Sequence, residues 1–253
     1  MNQAGQHSAL ECTATKPAPA AIRKRAGRVP VANSLLAALP NSEYQSLLSE
    51  LEPVTLAFGE VLYVPGTPMQ HVYFPIDCLI SLRTPVEGHR ALEVGLVGHE
   101  GMVGVSLTFG IDVAPVRALV QGSGRALRMA AAPFRQQLAL SVELRRILSR
   151  YTHAFMTQFM HTAACNHFHP AQARLARWLL MTRDRVRSNE FHLTHELLAE
   201  MLGIRRVGVT NAAGTLQRSK LISYKRGNIK ILDRKGLEAA ACKCYRILKD
   251  TRV

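Results

Sequence analysis

Residues 194–213 read THELLAEMLGIRRVGVTNAA, and the reading of the whole chain turns on them. Thr194 suits a helix N-cap, because its hydroxyl can accept a first-turn N–H, and Glu196 favours the positive end of the helix dipole. Ala199 is small where two helices would cross. Gly203 follows four residues later, where a tight turn needs positive φ. Val209 comes six residues after that and would plug a second helix into a core. This small–glycine–branched spacing predicts a helix-turn-helix. An ordinary helical hairpin could carry the same spacing, so the flanking sequence has to decide.

Downstream, the second helix should run from about Arg205 to Gln217. Val209, Ala212, Ala213 and Leu216 share its inner face; Val207, Asn211, Gly214 and Arg218 share the outer one, with Thr210 at its edge. Leu221–Lys225 and Ile229–Leu232 then read as two strands around the turn Arg226-Gly227-Asn228. Helix, turn, helix and hairpin together predict a winged helix-turn-helix. Its side chains suggest a division of labour on double-stranded DNA. Arg206 can make a bidentate contact to guanine O6 and N7, Asn211 can pair with adenine, and Val207 suits a thymine methyl. Arg205 and Thr210 would hold phosphates. Arg218, Lys220, Lys225, Arg226 and Lys230 place further charge on or beside the wing.

Upstream, Pro170 separates two helical stripes. Leu175, Trp178, Leu179, Thr182 and Val186 share a face after it. Before it, Ser141 can cap a long helix from Val142 to His167. On that helix Leu144, Leu148, Tyr151, Phe155 and Phe159 recur at helical spacing and form the expected contact face of a homodimer; packing on the chain's own β domain is the other reading. A short helix is expected over Phe134–Leu140. From Val54 to Met129 the texture is instead β: Val61–Val64, Val72–Phe74, Leu79–Leu82, Leu92–Val97, Ala118–Gln121 and Ala126–Met129 are short apolar or alternating runs between Gly- and Pro-rich turns. Asn33–Leu51 reads as helix broken at Pro40-Asn41-Ser42. The fold class is therefore α+β: a basic tail (1–30), a jelly-roll-like β domain (31–133), a linker and dimerisation helix (134–168) and the winged helix-turn-helix (169–253).

Charge follows the same division. The net charge is +14 overall, made of +4 over residues 1–30, −4 over 31–133 and +14 over 134–253. Only the last segment looks built for phosphate, although Arg23, Lys24, Arg25 and Arg28 could brush DNA. The five cysteines have no framework spacing, and no run approaches the ~20 apolar residues of a membrane span. No apolar segment follows the basic N-terminal residues as in a signal peptide. A soluble, cytoplasmic, non-membrane protein is expected. No nucleophile–base set, phosphate loop or ligand triad is evident, so catalysis is not expected.

The order β-rich domain, long helix, winged helix-turn-helix resembles the Crp/Fnr family of bacterial transcription regulators over roughly residues 31–240. The likeness is strongest in Leu193–Leu232, where Leu-Gly-Ile-Arg-Arg-Val-Gly-Val-Thr and Leu-Ile-Ser-Tyr-Lys-Arg-Gly look like the family's recognition helix and wing. It implies a double-stranded β-helix sensor domain, a homodimer on a two-fold operator, and RNA polymerase as a partner. Arg206 matches the family's common base-reading arginine. Val207 stands where Glu is frequent and Asn211 where a second Arg is frequent, so a different operator is implied.

The sensor half departs from the family pattern. Cyclic-nucleotide-binding members use a Gly-Glu pair and then an Arg-Ser or Arg-Thr pair. Here Gly104 is followed by Val105, and Pro115 and Val116 occupy the second pair, with Arg117 one position on. Cyclic AMP in the family's manner is not expected. Cys12 stands alone, which excludes the family's N-terminal iron–sulfur cluster. His161, Cys165 and His169 lie on one helix face, with His153 and His167 near; they could bind a metal or haem, but polar residues on a solvated or interfacial helix are the plainer reading. Cys242 and Cys244 form a lone Cys-x-Cys. No cofactor or metal is therefore assigned, and a metal- or haem-responsive regulator or a nonspecific nucleic-acid binder remain as alternatives.

Overall fold

The structure, a computed structural model, describes residues 33–251. The basic tail expected over residues 1–30 lies outside the described residues. Two short helices open the described chain, α1 (Ser34–Ala37) and α2 (Asn41–Leu48), split at Pro40 as the sequence suggested. Asn33 caps α1 while fully buried: its Oδ1 accepts from the Leu35 and Leu36 amides, and its Nδ2 donates to Pro75 O and Gly101 O, both at 2.9 Å. A buried amide is tolerated there because its hydrogen-bonding capacity is met.

Two antiparallel sheets follow. One has the order β1 (Glu52–Leu56), β7 (Gly124–Ala130), β3 (His71–Pro75); the other runs β2 (Val61–Tyr63), β6 (Arg117–Gly122), β4 (Leu79–Val86), β5 (His89–Val97). Every expected strand is present. The strand that sequence pattern missed is β1, whose Pro53 and exposed Glu52 hide its period; as an edge strand it accepts a proline. The inner faces bury Val72, Phe74, Ile80 and Val120 in a core shared with Met102, from the segment after β5, and with Phe134 of α3 (Ala131–Leu140).

Helix α4 (Val142–Phe168) has 27 residues, about 40 Å at 1.5 Å per residue. Ser141 caps it through the Leu144 amide at 2.8 Å. The stripe expected to meet a second copy is turned inward. Leu144, Leu148, Tyr151 and Phe155 are buried in the β domain's core, and Phe159 packs against it. Tyr151 donates to Met102 O at 2.9 Å, and Phe155 stacks on Tyr151 and meets Phe159 at a tilt. These five residues are therefore corrected from a dimer face to an intrachain one. Both roles ask for apolar residues at the same spacing, and the half-open β domain uses them first.

The second core belongs to the C-terminal half: α5 (Ala171–Val186), β8 (Glu190–His192), α6 (His195–Leu202), α7 (Arg206–Arg218), β9 (Ile222–Lys225), β10 (Asn228–Ile231), α8 (Arg234–Ala240) and α9 (Cys244–Asp250). Strand β10 lies between β8 and β9. Leu79 and Leu96 of the β domain join this core. At the seam, buried Glu93 accepts from Ser81 Oγ and from Trp178 Nε1, both at 2.6 Å. Arg185 of α5 pairs with Glu100 at 2.7 Å and donates to Gln158 of α4 at 3.2 Å.

Candidate nucleic-acid interface

Helix α6 begins where its sequence says it should. Thr194 Oγ1 accepts from the Leu197 amide at 3.2 Å. It ends at Gly203, whose φ of 58° lets its N–H turn back to Ala199 O and Glu200 O. A side chain at Gly203 would also run into Leu92, 2.6 Å from where its Cβ would sit. The turn of the helix-turn-helix thus rests on β5. Nearby, Arg83 of β4 pairs with Glu200 of α6 at 3.4 Å, and an open cleft beside them is lined by Val86, Leu92, Ile204, Arg205 and Arg206.

Helix α7 is two-faced. Val209, Ala212, Ala213 and Leu216 are buried, while Arg205, Arg206, Val207, Thr210, Asn211 and Arg218 are exposed. Val207 is 64% exposed, unusual for a β-branched apolar side chain with no core to join. Thr210 Oγ1 lies 3.1 Å from His195 Nδ1, tying the edge of α7 to the start of α6. Burial and the neighbouring Arg206 charge hold the His195 pKa below its usual value, favouring the neutral ring. Arg218 donates to Thr215 Oγ1 at 3.0 Å.

The wing is a two-residue hairpin. Residues 225 and 228 face each other, and Arg226 and Gly227 turn the chain with φ of 50° and 82°. Positive φ at both positions is the type I′ requirement. Lys225, Arg226 and Lys220 are exposed; Lys230 is paired with Glu190 at 2.7 Å. Tyr224 anchors the wing by donating to Leu193 O at 2.6 Å. The candidate DNA-contacting residues Arg206, Val207, Thr210, Asn211 and Arg218 are thus exposed on α7, Arg205 at its N-cap, Lys220 in the turn after it, and Lys225 and Arg226 on the hairpin. The third strand of this sheet, β8, escaped sequence reading because three residues are too few to display a period.

In the β domain, Gly104 (φ 102°) opens a 3-10 turn, Val105–Phe109, and a Cβ there would meet Tyr63 Oη at 2.6 Å. Arg117 is exposed while Ala118 is buried, so the nearby arginine points out of the roll. The metal-capable side chains are redistributed. Cys165 and His169 lie together with Cys242 and Cys244, their donor atoms all within 4.8 Å of one another; His161 is not of this group. Sequence reading treated the two cysteine features separately, because 77 residues divide Cys165 from Cys242. No helix of the described residues is long and apolar enough to cross a membrane.

Residues 173–240 match the Crp-like helix-turn-helix domain. No curated protein matches the chain. Among solved structures, FixK2 from Bradyrhizobium japonicum has a TM-score of 0.65 at 14% identity, covering 76% of this chain and 98% of its own. A Crp/Fnr-family regulator from Eubacterium rectale gives 0.64 at 17% identity, with 82% and 97% covered. Another, from Thermus thermophilus, gives 0.55 at 25% identity, with 75% and 98% covered.

Proposed function

We propose, from the premise that this chain is a Crp/Fnr-type transcription regulator with a Crp-like helix-turn-helix domain, that it binds a two-fold operator sequence-specifically as a homodimer. The observation that carries this reading is the exposed face of α7: a guanidinium, an amide and an isolated branched methyl pair at its solvent side, with the opposite face fully buried. One recognition helix would enter each major groove, about 34 Å apart. Arg206, Asn211 and Val207 would read bases. Arg205, Thr210, Arg218, Lys220, Lys225 and Arg226 would hold phosphates, which position the protein without specifying sequence. RNA polymerase is the expected protein partner. The acting state is cytoplasmic and non-catalytic.

The dimer contact belongs on the outer face of α4. Met156 and Met160 are 55% and 59% exposed there, next to exposed Ala163 and Ala164. Met160→Glu is expected to shift the chain from dimer to monomer in sedimentation velocity while leaving its circular dichroism unchanged. A variant that stays dimeric would move the contact elsewhere. Any signal from the β domain would reach the DNA-binding half through the Arg83–Glu200 pair and the Leu92–Gly203 contact. That signal is not cyclic AMP in the family's usual grip: Val105, Pro115 and Val116 replace its polar residues, and Tyr63 crowds the backbone at Gly104.

Selection from a random DNA pool tests the reading directly. On the selected site Arg206→Ala is expected to cost about 1–3 kcal/mol and to relax one base position. Lys225→Ala should weaken all sequences alike and lower the salt slope by about 1. Equal losses for both variants on selected and random duplexes would favour the nonspecific binder instead.

A further inference from the structure

We propose that Cys165, His169, Cys242 and Cys244 form a structural zinc site that pins the end of α4 to the start of α9. Three thiols and one imidazole are a known donor set for closed, four-coordinate zinc, a borderline-soft ion suited to sulfur and nitrogen. The spacing is right before any ion enters. A tetrahedron with arms of about 2.3 Å has edges of about 3.8 Å. Cys165 Sγ and Cys242 Sγ lie 3.4 Å apart, and Cys244 Sγ and His169 Nδ1 3.8 Å. Cys165 and Cys244 are buried, and Cys242 and His169 half-buried, so the centre is largely shielded from water.

The surroundings favour the charge such a centre would carry. Three thiolates and one Zn²⁺ sum to one negative charge. Arg174 and Arg177 of α5 are buried, and their hydrogen-bond partners are neutral: Asn166 and Leu202 O for Arg174, Thr162 and Met181 for Arg177.

The position gives the ion its role. His169 is the C-cap of α4, one residue before Pro170 and the start of α5. Cys242 precedes α9 and Cys244 is its first residue. The ion would close a loop that contains the whole winged helix-turn-helix, and would fix the angle at which that domain leaves α4. Binding exchanges three S–H protons for three Zn–S bonds, with His169 donating through a neutral ring nitrogen; no electron changes hands.

Metal analysis of the full-length chain, purified reduced and without chelator, should find one zinc per chain. Replacing it with Co²⁺ should give the thiolate-to-metal charge-transfer band and intense d–d bands of a tetrahedral sulfur-rich site. Cys242→Ser with Cys244→Ser should abolish both signals, and His169→Cys should keep the metal with a shifted cobalt spectrum. The wild-type measurement stands even if the serine variant does not fold. Well under one metal per chain together with no cobalt bands overturns the proposal, and so does a Cys165–Cys242 disulfide in the freshly purified, metal-free protein. Stoichiometric metal that survives the double serine substitution places the ion elsewhere and overturns it equally.

Discussion

Replacing Arg185 by alanine is expected to destabilise the folded chain by about 3–5 kcal/mol, the usual cost of stripping one partner from a buried ion pair. Arg185 and Glu100 have side-chain exposures of only 5% and 12% and meet at 2.7 Å. The same guanidinium donates to Met181 O at 3.1 Å and to Gln158 Oε1 at 3.2 Å. Gln158 in turn donates to Leu96 O at 3.2 Å. One side chain therefore joins α5, α4 and the β domain. Alanine leaves the Glu100 carboxylate buried without its counter-charge and removes the bonds to Gln158 of α4 and to Met181 O within α5 itself. Equilibrium denaturation reads the loss; a variant within about 1 kcal/mol of the parent would mean that water reaches Glu100 and takes the arginine's place.

The second large effect depends on pH. Glu93 is fully buried between Ser81 and Trp178, and burial raises its pKa from 4.5 to about 7 despite both hydrogen bonds and the charges of Arg83 and Arg177. A raised carboxyl pKa means that the folded chain holds this proton more tightly than the unfolded chain does. The contribution to stability is fully present below pH 4.5 and declines as pH rises. It is gone above about 7, where the carboxylate must sit charged at the seam. The difference is on the order of 3 kcal/mol. Glu93→Gln keeps an acceptor for Trp178 and removes the titration. Urea midpoints at pH 5 and pH 8 should therefore diverge for the parent and converge for the variant. Equal pH slopes for the two would show that Glu93 is not the group responsible.

Legibility in the sequence followed the range of the interactions. The helix-turn-helix was readable because its determinants are local: the Thr194 cap, the Gly203 turn and the Val209 plug act within a few residues of one another. The wing was readable for the same reason, through Arg226-Gly227. The β strands announced themselves by short apolar or alternating runs, except β1, where Pro53 and Glu52 obscure the pattern, and β8, which has only three residues. What a periodic stripe cannot say is which surface it will meet. Leu144 to Phe159 has the spacing of a helix contact, and only the fold assigns that contact to the chain's own core. The sulfur–histidine cluster was least legible, since its two halves come together only after α9 folds back on α4. The base-reading assignments rest on exposure and chemistry, and both were visible from the helical period alone.

The inward stripe of α4 has one further consequence. A helix whose apolar face is already covered by its own β domain can reach its final shape before it meets a second copy. For the dimer proposed above, folding and association are then separate events. Dilution should release ordered subunits, in contrast to obligate dimers whose protomers unfold on parting. Mixed with a differently labelled population, such subunits would exchange without passing through an unfolded chain, and occupancy of a two-fold operator would depend on protein concentration more steeply than single-site binding does.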